Sequence, residues 1–171
     1  INAEDGSKMS KSKGNTVDPM DIIDAGYGAD ALRVFELFIA PYDQDTPWNT
    51  NGVPGTYRFL NRVWVLVQEY LESVESRESN VKNETENEEL LQTINKTIKK
   101  VTENLESLKF NTAVSSMMEC TNSLYKIKDR DGFISGSWQV TLESLLQLLA
   151  PFAPHIAEEL WHQLGHKDTI H

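Results

Sequence analysis

One cysteine, Cys120, stands among 171 residues, so an internal disulfide is impossible. Such sparing use fits a reducing compartment, and the cytoplasm is the expected location. No apolar run approaches the roughly 18–20 residues that a bilayer span requires, so no membrane-spanning segment is expected. His155, His162 and Cys120 are joined by no H-x-x-x-H or C-x-x-C spacing, so no metal site is assigned to them. Positive charge is scarce. Sixteen Lys and Arg against 26 Asp and Glu leave a net charge of −10, the opposite of the basic footprint of a dedicated nucleic-acid-binding domain. Local basic patches keep their meaning, because charge is screened within about 8–10 Å at ordinary salt. No signal peptide precedes the glycosylation-type triplets at Asn83 and Asn95, which read as accidental. No methionine opens the chain, and no element precedes its first loop. A piece of a longer polypeptide is therefore expected.

What is present is helical. Hydrophobic residues make up 39% and charged residues 25% of the sequence, as in a globular protein of one domain, or one with a small appendage. No stretch alternates with period two, and no internal repeat is evident, so the predicted class is all-α. Asp18-Pro19 supplies a cap and a first-turn proline for a short helix in "PMDIIDAG". "ADALRVFELFIA" is apolar nearly all round and is expected to be buried, with Arg33 a buried ion-pair partner of Asp30 or Glu36. A turn-rich connector follows Pro41. From about residue 53 to 72 a longer helix carries the stripe Tyr57, Leu60, Val63, Trp64, Val67, Tyr70 and Leu71. After an acidic spacer, Thr85-x-x-Glu88 has capping-box spacing before the stripe Leu91, Ile94, Ile98, Val101, Leu105 and Leu108. A fifth helix buries Ala113, Val114, Met117, Met118, Leu124 and Ile127. The last segment reads as two helices broken at Pro151 and Pro154. Residues 1–50 are thus a loop and helical hairpin, leading into an antiparallel bundle over 51–171.

The loop is "EDGSKMSKSKGNTVDP". Lysine is a mobile point charge with three donors, so Lys8 and Lys11 suit the shifting charge of a polyphosphate. Ser10 and Ser12 add hydroxyl donors, while Gly14 and Asn15 tolerate unusual backbone angles. Lysines and serines alone would more often be a solvated loop.

Lys8-Met9-Ser10-Lys11-Ser12, however, is the full K-M-S-K-S signature, and the chain resembles the class I aminoacyl-tRNA synthetases there. "YGADALRVFELFIAP", "QDTPWNTNGVPGTYRFLNRVW", "KFNTAVSSMMECTN" and "LAPFAPHIAEELWHQLG" resemble the leucyl branch, with the valyl enzymes the nearest confusion. The resemblance implies ATP binding by Lys8, Met9, Ser10, Lys11 and Ser12. Lys11 would be the principal catalytic lysine and Lys8 its support. It further implies leucine, ATP with Mg2+ and tRNA(Leu) as partners of a monomeric complete enzyme. Residues 1–50 would be the end of the catalytic core, with stem-contact helices, and 51–171 an anticodon-binding-type bundle, incomplete at its C-terminus. No H-I-G-H-type motif, nucleotide-binding βαβ unit or editing domain is found, so the chain alone is expected to be inactive and to bind no cofactor. Without its catalytic partner the lysine loop is expected to be disordered.

Arg58 and Arg62 are four residues apart on one helical face and are candidate tRNA-backbone contacts. The plainer expectation is ion pairing with nearby carboxylates. Lys96, Lys99 and Lys100 read as a solvated face, His155 as a partly buried structural residue, and the four tryptophans as packing. The alternative to the enzyme reading is a free-standing helical module that docks tRNA or protein without catalysis.

Overall fold

A computed structural model of the chain describes residues 1–76, 86–134 and 136–171. Seven α-helices follow one another among them: α1 (Pro19–Asp24), α2 (Gly28–Phe38), α3 (Val53–Glu75), α4 (Glu88–Glu106), α5 (Phe110–Asp131), α6 (Ser137–Leu149) and α7 (Pro154–Gln163). Among the described residues there is no strand, only an isolated parallel bridge between Asn2 and Pro47. There the Asn2 amide donates to the Thr46 carbonyl at 2.8 Å and the Trp48 amide to the Asn2 carbonyl at 2.9 Å. The first residues are thereby tied to the connector after α2. No described helix is long and apolar enough to cross a membrane.

Local chemistry sets most boundaries. The Asp18 carboxylate accepts from the Met20 amide at 2.9 Å, and Pro19 opens α1, as a capping aspartate and a first-turn proline do. Thr85 of the expected capping box lies outside the described residues. The cap of α4 is instead Asn87, whose side-chain oxygen accepts from the Leu90 amide at 3.1 Å. Leu108 turns the chain from α4 into α5 with a φ of 55°. It is exposed, so it ends the stripe rather than extending it.

One continuous core joins the helices. α4 packs on α5 and α6, α2 on α3 and α5, and α7 on α6, α3 and α2. The stripes are rotated slightly from their predicted positions. On α3 the buried set is Val53, Thr56, Phe59, Leu60, Val63, Leu66, Val67 and Tyr70, whereas Trp64 and Leu71 are half-buried and Tyr57 is exposed. On α4 Leu90 is buried and Leu91 only half-buried, and on α5 Met118 is likewise half-buried. Helices packed on several neighbours bury a face wider than one apolar stripe, and its edges follow the neighbours rather than the period.

Arg33 departs from expectation more fully. It is exposed, while Ala31, Leu32, Val34 and Phe35 are buried. The turn of α2 that carries Asp30 inward carries residue 33 outward, and the Asp30 carboxylate is engaged by α7. Gly52, just before α3, is required by close approach: a Cβ there would run into the Phe35 ring.

Candidate functional site

Side-chain hydrogen bonds link the residues of the lysine loop. Asn15 organises it through its side chain. Its Oδ1 accepts from the Ser10 amide at 2.8 Å, and its Nδ2 donates to Ser7 Oγ at 2.9 Å and to the Lys8 carbonyl at 3.3 Å. Its backbone has no positive φ; that role belongs to Gly14, with φ 66°, which closes the short turn Lys11–Lys13 by donating to the Lys11 carbonyl at 3.2 Å. Left-handed backbone costs glycine little.

Met9 faces the other way. It is half-buried against the core and lines a cavity of about 90 Å³ with Val17, Leu32 and Trp48. Met9 therefore anchors the loop, while Lys8 and Lys11 on either side of it stay exposed. No ion pair engages Lys8, Lys11 or Lys13 among the described residues. The hydroxyls of Ser10 and Ser12 lie 2.8 Å apart and share one hydrogen bond. Each oxygen keeps further capacity, because a hydroxyl both donates and accepts. The result is a hydrogen-bonded loop that presents the Lys8 and Lys11 ammonium groups to solvent.

Arg58 and Arg62 share the outer face of α3, both exposed. No hydrogen bond or ion pair joins them to the lysine loop among the described residues, so the predicted residues form two separate places. The expected pairing with carboxylates is not what holds Arg62. Its Nη1 donates to Asn122 Oδ1, its guanidinium carbon lies 4.6 Å from the centre of the Tyr125 ring, and the Tyr125 hydroxyl donates to its carbonyl at 2.9 Å. Lys128 lies 4.7 Å from the same ring centre but is paired with Glu69 at 2.9 Å. Burial, with Glu69 next, pushes the Tyr125 phenol up, so the ring stays neutral. Lys99 and Lys100, by contrast, pair with Glu103 and Glu119, the solvated face expected of them.

Two contacts were not foreseen. The buried Asp30 carboxylate accepts from the Ile156 amide at 2.8 Å and meets His155 Nδ1 at 2.8 Å. This caps α7 from α2, and the His155 side chain is 75% exposed rather than partly buried. The second is a clasp after α7. His162 and His166 do stand at H-x-x-x-H spacing, but α7 ends at Gln163. His166 stacks on Trp161 with ring centres 3.6 Å apart and reaches Glu143 at 2.8 Å. His162 contacts the His166 carbonyl at 2.9 Å and Glu158 at 3.1 Å. Both of its nitrogens are thus committed. Among the described residues no group of three His, Cys, Asp or Glu is placed to hold a metal. Of the tryptophans, Trp48 and Trp138 are buried, whereas Trp64 and Trp161 are half-buried.

Comparison with known proteins covers both halves of this arrangement. Residues 1–49 match the family of class I tRNA synthetases (I, L, M and V), and residues 87–171 match the anticodon-binding domain of tRNA ligase. The leucine–tRNA ligase of Chlorobaculum tepidum is 49% identical over 170 residues, 99% of this chain. Over nearly its whole length the chain is similar to leucine–tRNA ligases. The ligases of Chlorobium limicola and Dehalococcoides mccartyi are 48% and 46% identical, over 99% and 96% of the chain. The chain spans about a fifth of the length of these curated relatives, 20%, 20% and 19% in turn. A solved LeuRS from Agrobacterium radiobacter K84, in ternary complex with tRNA and LeuAMS, superposes with a TM-score of 0.82 at 34% identity. The match covers 99% of this chain and 22% of that one. The leucyl reading is supported over the valyl one.

Proposed function

We propose that these residues serve ATP-dependent leucylation of tRNA(Leu). The lysine loop would close on ATP, and the bundle would dock the tRNA. In this reading residues 1–50 belong to the end of a catalytic core and 51–171 to the anticodon-binding-type bundle. The observation that carries it is the intact K-M-S-K-S loop, anchored inward by Met9 and fixed by Asn15, with Lys8 and Lys11 exposed and unpaired.

Lys11 would stabilise the charge that develops on the triphosphate while leucine is activated. Lys8 would support it, and the Ser10 and Ser12 hydroxyls would bond phosphate oxygens. Magnesium would accompany the ATP. Arg58 and Arg62 would meet tRNA phosphates, a role that arginine's planar fork suits. The chain by itself would bind no cofactor. A monomer in the cytoplasm is the proposed state of the complete enzyme.

The test is ATP–pyrophosphate exchange and aminoacylation by the complete enzyme. Leucine-dependent exchange with charging of tRNA(Leu), and none with valine on tRNA(Val), is expected. Binding of tRNA without exchange would favour the non-catalytic docking module.

A further inference from the structure

We propose that Tyr125 is a positioning residue for the tRNA face of α3: with Asn122 it holds the Arg62 guanidinium in place without neutralising it. The inference rests on the reading that Arg58 and Arg62 meet tRNA phosphates.

Four cations of this acidic chain make the contrast with Arg62. Lys99, Lys100, Lys128 and Arg130 each lie against a carboxylate, which offsets part of the charge an incoming anion would meet. Arg62 is also held, but by neutral groups: an amide oxygen, an aromatic ring and, through the tyrosine hydroxyl, its own backbone. One guanidinium face rests on the ring and one N–H is spent on Asn122. Arginine carries five N–H donors, so those remaining and the full positive charge are open to solvent. An ordered, unneutralised cation is what binding a phosphate requires, because the side-chain ordering is then complete before the anion arrives.

Lys128 completes the device. It approaches the same ring while Glu69 holds it, with 17% of its side chain exposed. It fixes the ring in place and is not itself available. Arg58, one turn earlier on the same face, has no such clamp among the described residues. The two arginines thus differ in kind, one fixed and one free.

The experiment measures tRNA(Leu) binding to the complete enzyme from 50 to 200 mM salt and reads the slope of log K against log salt. Each phosphate contact contributes about 0.9 to that slope on duplex nucleic acid. Arg62→Ala and Arg58→Ala are each expected to flatten it by about 0.9. Tyr125→Phe keeps the ring and is expected to keep the wild-type slope. Tyr125→Leu removes the ring and is expected to weaken binding at least several-fold, with little further loss when Arg62→Ala is added. Asn122→Asp changes an exposed residue without touching the core, so it serves even if Tyr125→Leu folds poorly. By giving Arg62 a carboxylate it is expected to flatten the slope in the wild-type background, and much less once Arg62 is alanine. If Tyr125→Leu and Asn122→Asp act equally with and without Arg62, while either arginine variant flattens the slope, the clamp is wrong and the interface stands. If neither arginine variant changes the slope, the interface reading falls and the clamp with it.

Discussion

Replacing Asp30 with alanine would test what joins the end nearest the lysine loop to the last helix. The Asp30 side chain is 11% exposed and its carboxylate receives two hydrogen bonds, from the Ile156 amide and from His155, each at 2.8 Å. The second counts for little, because the exposed His155 ring takes water in exchange. The first satisfies an amide in the opening turn of α7, where backbone donors lack intrahelical partners. A hydrogen bond to a charged group contributes about 1.5–3 kcal/mol, and a negative charge at a helix N-terminus adds about 0.3–1 kcal/mol. The expected loss is therefore about 2–4 kcal/mol. For a chain of this size each kcal/mol shifts Tm by roughly 2–4 °C, so the variant should melt roughly 4–16 °C lower, followed by far-UV circular dichroism. Asp30→Asn keeps an acceptor oxygen and should lose about half as much, and His155→Ala less than about 1 kcal/mol. An Asp30→Ala melting curve superposed on the wild type would refute the capping argument.

Gly52→Ala should cost about 1–3 kcal/mol, as overpacking does, because the new methyl meets the Phe35 ring. That ring packs edge-on against Trp48 at 5.1 Å, so a shift in tryptophan emission together with a lower denaturation midpoint is the reading. The clasp after α7 should depend on pH in a defined window. His162 is raised above its ordinary 6.5 by the His166 carbonyl first and Glu158 next, so its contribution is full below about 6.5 and lost as pH climbs through the raised value. Glu158 is lowered from 4.5, chiefly by the Ile170 amide, so its contribution is full above about 4.5 and lost as pH falls through the lowered value. Protection of the Ile170 amide from hydrogen exchange, corrected for intrinsic rates, should peak between those limits. His162→Gln should abolish the alkaline decline. Burial pushes the Cys120 thiol up, so it should react with a thiol reagent only as the chain unfolds, and equal rates before and after denaturation would contradict that.

The helices and the lysine loop were legible because their signals are local. Asp18-Pro19, the Pro151–Pro154 break and the periodic runs each act within a few residues, and the loop is one unbroken motif. Long-range partners were not. Asp30 meets residues 125 and 126 positions away, so pairing it with Arg33 on its own helix was the nearest guess and failed. Arg62 finds Asn122 and Tyr125 at separations of 60 and 63; their N-x-x-Y spacing on α5 hints only that they share a face. Asn15 was read for its backbone tolerance, whereas its amide side chain does the organising. The His162–His166 spacing was present in the sequence and overlooked beside the more widely spaced pair.

The most direct measurement is leucine-dependent ATP–pyrophosphate exchange by the complete enzyme carrying Lys11→Ala, beside Lys13→Ala, with tRNA(Leu) binding followed in parallel. Removing one well-placed transition-state donor typically costs about 10²–10³ in kcat. Lys11→Ala should lose about that much, with tRNA affinity unchanged and Lys13→Ala close to wild type. An exchange rate for Lys11→Ala within about twofold of wild type, well short of the loss expected for such a donor, would contradict the claim that this loop acts on ATP.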